Sequence, residues 1–272
     1  MPASDEELLS AARSGDRDAL EELLTRHQRS VFRFGMKMCG EEEDAKDVLQ
    51  ETLIAAARSI REFRGASSLS TWLYTIARSF CVKRHRTSKF APSEVESLDA
   101  HAAAARQVPD TRRGPEEAAA GEQLRLALKR AIASLEPAYR EVLVLRDVEG
   151  LPAAEVGEIL GLSVEAVKSR LHRARVSVRQ EIAPWLGVPE PAGARPDGSC
   201  PDVVDLFSRH LEGEISGEVC ASLEKHLEGC AACRARCDSL RASLSLCSRS
   251  GEQVPPRVEQ AVREALRRFV ES

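Results

Sequence analysis

The C-terminal part of the sequence contains residues whose types and spacing suit a metal ion. His226, Cys230 and Cys233 follow the pattern H-x3-C-x2-C, and Cys200 lies 26 residues before the histidine. Offsets of four and seven residues place the first three on one side of a helix and its continuation. Three thiolates and one imidazole form the complete tetrahedral shell that zinc prefers. The alternative is that these cysteines pack as small hydrophobic residues, but Cys230 and Cys233 lie among Gly, Ala and Arg, which favours metal binding.

Three more cysteines lie in the same segment, which holds six of the eight in the last 73 residues. They are Cys220, Cys237 and Cys247. They could complete a second, thiolate-rich site for a soft ion, exchange into the first site, or pack in a core, with sensing slightly favoured. The start of the chain, MPASDEELLS, is acidic and lacks the pattern of a secretion signal. We therefore expect a cytoplasmic protein without disulfides.

A loop between two predicted helices carries residues that suit unpaired DNA. The loop from Arg64 to Ser68 lies between Phe63 and Trp72, and the helix after it ends in the basic run 83–86. Flat side chains can stack on bases, small polar residues can line a pocket, and cations can follow the phosphates. It is equally possible from the residues alone that Phe63 and Trp72 are core and the cations a solvated surface.

The two helices that flank this loop differ in charge. The first begins after Gly40 and has six acids and one base between Glu41 and Glu51. An acidic helix is a poor ligand for DNA but a good partner for a basic protein surface. In the second helix the predicted core face consists of Leu69, Leu73, Ile76 and Phe80. Trp72, Tyr74 and Arg78 are predicted on its other faces.

A helix-turn-helix is predicted further along the chain. Pro152 starts a short helix, Gly161 makes the turn, and Ser163 caps the next helix. The inward seam of that helix consists of Val167, Leu171, Ala174 and Val178. Its other faces carry cations, Arg175 among them, with five bases and one acid from Ser163 to Arg179. This pattern fits the major groove of duplex DNA and is favoured over an amphipathic surface helix.

The elements that position these residues are predicted to be all-helical. Leu, Ala, Glu and Arg recur at three- and four-residue spacing, and alternating strand-like runs are missing. Two segments rich in Pro, Gly and Ala divide the 272 residues into three parts. The predicted domains are two helical domains at 1–90 and 123–187 and a small helical cysteine-rich domain at 199–272, with linkers at 91–122 and 188–198.

Composition excludes several classes of function. No apolar run approaches the roughly 18 residues that a membrane span needs, so no membrane partner is expected. The net charge of −4 hides segregated acidic and basic stretches and does not exclude nucleic acid. The predicted metal shell is saturated by protein ligands, and no nucleophile-base pair or phosphate loop is visible. An enzyme is therefore not expected.

Two of these motifs together closely resemble the extracytoplasmic-function (ECF) sigma factors of bacteria. They are DAKDVLQETLIAAARSIREFRGASSLSTWLYTIARSF at 44–80 and LPAAEVGEILGLSVEAVKSRLHRAR at 151–175. The resemblance implies core RNA polymerase, with its beta-prime and beta subunits, and promoter DNA as partners. It implies a region two that binds polymerase and melts the minus-10 element, and a region four that reads the minus-35 duplex.

The resemblance also assigns residues by position. Polymerase would be bound by Asp44, Asp47, Gln50 and Glu51. The melted strand would lie around Phe63, Arg64, Ser67, Ser68, Trp72 and Arg78. The minus-35 groove would be met by Lys168, Ser169, Arg170 and Arg173.

The cysteine-rich segment looks like the zinc-binding anti-sigma fold, a helical bundle that clasps a sigma factor. Its fusion to a sigma factor resembles the CorE-like metal-responsive sigma factors, whose C-terminal domain senses copper, or cadmium and zinc. The resemblance implies a sigma factor regulated in cis by a metal ion, with zinc expected and copper or cadmium as further candidates. A last amphipathic helix would seal this domain or dock on a sigma surface; its apolar residues are Val258, Val262, Leu266 and Phe269.

Two other interpretations remain open at this point. The tail could be a thiol-disulfide sensor with structural zinc, in which case oxidant without added metal would switch transcription. Alternatively, the chain could be a metal-dependent helix-turn-helix repressor that acts without polymerase. The second interpretation leaves the acidic helix from Asp44 to Glu51 unexplained.

Overall fold

The structure, a computed structural model, describes residues 3–88, 115–186, 200–249 and 253–271. Every regular element within these ranges is helical, so the prediction of an all-helical fold is confirmed. Among these helices none combines the length and the apolar character that a membrane span requires. Most of the two predicted linkers lies outside the described residues, although the first helix after the first gap begins at Pro115, inside the segment predicted as linker.

The first bundle consists of four helices: α1 (Asp5–Arg13), α2 (Arg17–Cys39), α3 (Glu42–Ser59) and α4 (Leu69–Ser88). Ser4 and Glu7 form a capping box at the start of α1, which satisfies backbone N–H groups that the first turn leaves unpaired. A 3-10 turn at Ile60–Glu62 ends α3 and leads into the loop before α4. The loop with the predicted DNA-binding residues is therefore held between two long helices.

The second bundle contains α5 (Pro115–Ser134), α6 (Pro137–Leu143), α7 (Ala153–Leu160) and α8 (Val164–Ile182). A π-helical turn continues α6. Gly161 ends α7 with φ +68°, a left-handed conformation that favours glycine, and the Ser163 side chain accepts from the Ala166 N–H. The predicted inward seam of α8 is buried. The predicted helix-turn-helix is therefore present with its turn and cap.

The tail forms four helices: α9 (Val203–Leu211), α10 (Gly217–Gly229), α11 (Ala231–Arg249) and α12 (Pro256–Glu271). Helices α9, α10 and α11 share a small core of their own. Helix α12 leaves this group and packs on α2 and α3 of the first bundle. The last amphipathic helix was expected either to seal the cysteine-rich domain or to dock on a sigma surface. Its packing on the first bundle corresponds to the second role.

One hydrophobic core runs through both bundles and α12. Helix α7 of the second bundle packs on α4 of the first, and α9 and α11 of the tail pack on α8. The modules that the sequence separates by linkers thus lie against one another. This closed arrangement decides which of the predicted functional residues are accessible.

Candidate metal centre and nucleic-acid interfaces

The tail brings the four predicted metal ligands together. Cys200 precedes α9, His226 lies in the last turn of α10, and Cys230 and Cys233 lie where α11 begins. Their ligand atoms all lie within 4.8 Å of one another, and the sulfur atoms of Cys200 and Cys230 are 4.0 Å apart. Zinc–sulfur bonds of about 2.3 Å in tetrahedral geometry place two sulfur atoms about 3.8 Å apart. The four residues therefore fit a zinc ion.

Two further details of this cluster suit a cation. Nε2 of His226 is buried and has no hydrogen-bond partner, and a coordinated metal ion would provide one. The pKa of the Cys230 thiol is lowered, chiefly because the backbone N–H of Cys233 hydrogen-bonds to its sulfur. The thiolate is the form that binds metal, so this lowering favours coordination. Burial raises the pKa of Cys233 to about 12, and a coordinating ion would offset that effect.

The three remaining tail cysteines do not gather into a second site. Sγ of Cys220 lies 3.2 Å from Nδ1 of His210. Cys237 is buried in the tail core, and Cys247 is buried in the core shared with the bundles. Burial raises the pKa of Cys237 to about 11 and that of Cys247 to about 12, so both thiols stay protonated. For these two, the structure supports core packing over the expected sensing role.

The four residues of α8 that the resemblance assigns to the minus-35 groove differ in their solvent exposure. Ser169 and Arg173 are exposed, and Arg170 is half-buried. Lys168 forms an ion pair with Glu214 of the tail, with Nζ and Oε1 3.0 Å apart. The tail therefore occupies part of the surface that the resemblance assigns to DNA.

Arg175 corrects the sequence analysis, which placed it on the outer cationic face of α8. Its side chain is 2% exposed and binds Asp147 of the same bundle at 2.7 Å and Glu212 of the tail at 2.8 Å. It also donates to the hydroxyl of Ser208 at 3.1 Å, and Arg146 binds the second oxygen of Glu212 at 3.2 Å. The physical reason is that α9 packs across this face and excludes water from the Arg175 guanidinium. Two carboxylates replace water as its hydrogen-bond partners.

The aromatic residues of the first bundle lie side by side. The rings of Phe63 and Trp72 have centroids 4.9 Å apart. Phe63 is buried and Trp72 is half-buried, so Phe63 matches the core alternative more closely than Trp72 does. Arg64 is exposed and Ser67 is half-buried in the same loop.

The other two residues assigned to the melted strand are engaged by acids of the second bundle. The hydroxyl of Ser68 donates to Glu155 at 2.8 Å, and the hydroxyl of Thr71 donates to the same carboxylate. Nε of Arg78 binds Glu141 at 3.0 Å. Carboxylates of the second bundle thus accept hydrogen bonds from two side chains that the resemblance assigns to the melted strand.

A third acid is buried between the bundles. The Glu149 side chain is 1% exposed, and it accepts from Nε of Arg33 at 2.6 Å and from the Tyr74 hydroxyl at 2.7 Å. Burial and the nearby Glu149 raise the pKa of Tyr74, so its hydroxyl remains a neutral donor. Tyr74 is therefore a second correction: it was predicted away from the core face of α4, but the second bundle covers its side of the helix.

The predicted polymerase-binding residues lie on α3. Arg84 of α4 binds Asp44 and Asp47, each at 2.6 Å, while Gln50 is half-buried and Glu51 is exposed. Helix α12 lies beside this surface. It is held there by Arg257 on Glu42, by Arg267 on Glu21, and by Arg58 of α3 over the Phe269 ring.

Three protein families match this chain. The family described as Sigma-70 region 2 matches residues 23–90, and the family described as Sigma-70, region 4 matches residues 125–178. The family described as "Putative zinc-finger" matches residues 200–234, which contain the four clustered ligands. The bundles and the tail thus belong to a sigma-70-type transcription factor with an added zinc-finger-like segment.

Similar proteins narrow this class. The ECF RNA polymerase sigma factor SigW of Bacillus subtilis is 30% identical over 177 residues, covering 64% of this chain and 94% of SigW. SigM of Mycobacterium tuberculosis is 33% identical over 173 residues, covering 63% of this chain and 81% of SigM. One chain of a solved structure, described as CnrH in complex with the cytosolic domain of CnrY, is 26% identical; the match covers 65% of this chain and 95% of that chain, with a TM-score of 0.45.

This chain belongs to the ECF sigma factors of RNA polymerase. The predicted membership is confirmed, and so is the prediction that the protein is not an enzyme, because these relatives are transcription initiation factors. The finer resemblance to CorE-like metal-responsive sigma factors stays a prediction, as do the residue assignments to polymerase and promoter.

Proposed function

We propose that this sigma factor directs core RNA polymerase to promoters with minus-10 and minus-35 elements, and that its tail holds it closed in cis. It would act in the cytoplasm through the beta-prime and beta subunits. The observation that carries the regulatory part is that the tail contacts both bundles. Helices α9 and α11 pack on α8, while α12 packs on α2 and α3.

The closed form is unsuited to promoter DNA for an electrostatic reason. Binding to DNA depends largely on cations that neutralise phosphates. Lys168 is paired with Glu214 of the tail, and Arg78 is paired with Glu141 of the second bundle. Each pair must break before the cation can reach a phosphate. In addition, regions two and four contact promoter elements at separate sites, so both bundles must part from their present packing.

The metal cluster lies where it can control this closure. Cys200 lies three positions before the first residue of α9, His226 lies on α10, Cys230 joins α10 to α11, and Cys233 lies on α11. An ion shared by all four fixes the start of α9 relative to α10 and α11, and α9 carries Ser208 onto Arg175. The ion-loaded tail therefore favours the closed form, and loss or exchange of the ion favours opening. A coupling free energy of about 1–3 kcal/mol is sufficient for a useful switch.

Zinc is the resident ion in this proposal because three thiolates and one imidazole suit it. Copper and cadmium are the candidates for exchange, since soft ions compete for thiolates. A second candidate signal is oxidation of the ligand thiols, favoured by the half-buried position and lowered pKa of Cys230. The repressor interpretation is not retained, because the first bundle matches region two of sigma factors.

The test compares ion-loaded and demetallated full-length protein for its affinity for core polymerase and for run-off transcription on genomic fragments. We expect the demetallated chain to bind more tightly and to transcribe more. Cys230→Ser should behave as demetallated at every zinc level. Cys220→Ser is the matched control, because it changes a half-buried cysteine of α10 outside the cluster, and it should keep the zinc response. Equal activity of loaded and demetallated protein would refute metal control, and oxidant-driven activation with zinc present in excess would favour the second candidate.

A further inference from the structure

Two cysteines of the first bundle face each other, far along the chain from the tail cluster. Cys39 is the last residue of α2, and Cys81 lies in the middle of α4. Their sulfur atoms are 3.6 Å apart. Cys81 is 1% exposed, whereas Cys39 is half-buried and reaches solvent. One thiol is thus accessible to a small oxidant, and the other lies behind it.

The surroundings of this pair lower the pKa of the accessible thiol. The pKa of Cys39 is lowered, first because Cys81 can donate to its thiolate and also because of Arg84 and Arg140. Burial and the carboxylate of Asp44 act in the opposite direction. The pKa of Cys81 is raised by its hydrogen bond with Cys39 and by burial, so it stays protonated. The lowered pKa of Cys39 suits the attacking thiolate. Oxidation of Cys39 removes the thiolate that raises the pKa of Cys81, so Cys81 can then give up its proton and resolve the sulfenic acid.

We infer that Cys39 and Cys81 are a peroxide-oxidisable pair that closes to a disulfide between α2 and α4. The Cys39 thiolate attacks a hydroperoxide, so that an S–O bond forms, the O–O bond breaks, and hydroxide leaves and takes up a proton as water. The Cys81 thiol then attacks the sulfenic sulfur; an S–S bond forms, the S–O bond breaks, and the hydroxyl leaves with the Cys81 proton as a second water. Hydrogen peroxide is reduced to two waters, and two thiols are oxidised to one disulfide.

The position of the pair determines what the disulfide changes. It links residues 42 positions apart, and the closed loop contains all of α3, the predicted polymerase-binding helix. The linked bundle loses chain entropy mainly in its unfolded state, so oxidation stabilises it. This inference does not rest on metal control, because none of the four clustered ligands takes part.

The experiment treats zinc-loaded, full-length protein with stepwise hydrogen peroxide, alkylates the remaining thiols, and maps the peptides by mass spectrometry. We expect a Cys39–Cys81 cross-linked peptide and a rise of roughly 5–10 °C in the thermal unfolding midpoint of the protein, reversed by dithiothreitol. Cys39→Ser should lose both effects. Cys237→Ser is the matched control, since it removes a buried cysteine of the tail core and should keep both.

Three results would overturn the inference. Cys39 and Cys81 could both be recovered as alkylated thiols at a peroxide level that already releases zinc. Cys39 could be recovered as sulfinic or sulfonic acid with Cys81 still a thiol. The midpoint could rise equally in Cys39→Ser. If Cys39→Ser fails to fold, Cys39→Ala and the peptide map of the wild-type chain decide the question, because the map needs no variant.

Discussion

The closed form can be tested by removing a single negative charge at the contact between the tail and α8. Glu212 is the residue of choice because its side chain, which is 5% exposed, accepts from both Arg175 and Arg146. In the substitution Glu212→Gln the side chain keeps its size and one oxygen acceptor. Arg175 keeps Asp147 as a partner, so the second bundle itself loses no internal ion pair.

The magnitude follows from the difference between the closed and open forms. Hydrogen bonds to charged groups contribute about 1.5–3 kcal/mol each, and the substitution weakens two of them while it places an amide NH2 beside a guanidinium. In the open form Glu212 is hydrated, so the same change there has little effect. We therefore expect the closed form to lose about 1.5–3 kcal/mol relative to the open form. Since 1.4 kcal/mol corresponds to a factor of ten, the closed-to-open ratio falls by roughly 10- to 100-fold.

The assay is the affinity of the zinc-loaded chain for core polymerase, combined with amide hydrogen exchange of α9. Glu212→Gln should bind polymerase more tightly and exchange faster in α9 than the wild-type protein. Glu218→Gln removes the same charge at an exposed position of α10 and serves as the control, with no effect expected. If Glu212→Gln and Glu218→Gln are indistinguishable in both measurements, the tail does not hold α8 through this contact and the reasoning fails.

Three further predictions follow from other contacts. Gly157→Ala places a Cβ 2.7 Å from the backbone oxygen of Leu162 and should lower the free energy of unfolding by about 1–3 kcal/mol in chemical denaturation, whereas Gly217→Ala, with open space around it, should cost far less. Glu155→Gln weakens its hydrogen bonds with Thr71 and Ser68 by about 1 kcal/mol, so α4 and α7 should separate more often, measured as faster cleavage by a protease at low concentration. Removal of zinc by a chelator should speed amide exchange throughout α9, α10 and α11, and unchanged exchange would contradict a structural role for the ion.

The parts of this protein that the sequence predicts are those encoded locally. The turn at Gly161, the cap at Ser163 and the seam of α8 depend on residues within a few positions of each other, and all are present in the structure. The four predicted metal ligands come together for a similar reason, since three of them lie within eight residues and Cys200 lies just before the helix that packs beside them.

The parts that the sequence does not predict depend on partners far along the chain. Arg175 has the residue type and helix position of a DNA ligand, but Asp147, 28 residues earlier, and Glu212, 37 residues later, make it a buried ion-pair residue. Tyr74 is similar. Its hydroxyl donates to Glu149, 75 residues later, and the apolar periodicity of α4 does not predict that contact. A weak signal was available: Glu212 and Glu214 follow the amphipathic helix α9, and their charge complements that of α8.

The closed form also explains how a DNA-binding protein can carry a net charge of −4. The acids that outnumber the cations are used in part to neutralise them: Glu214 pairs with Lys168, Glu141 pairs with Arg78, and Glu212 pairs with an arginine of α8. The proposed opening would separate these pairs and restore positive charge to the surfaces that the resemblance assigns to promoter DNA. Because a cation paired with a carboxylate is not available to neutralise a phosphate, opening and promoter binding would be thermodynamically coupled. In the proposed mechanism, polymerase would favour the parted bundles and the tail ion would favour the packed ones, so the two would act in opposite directions on the same equilibrium.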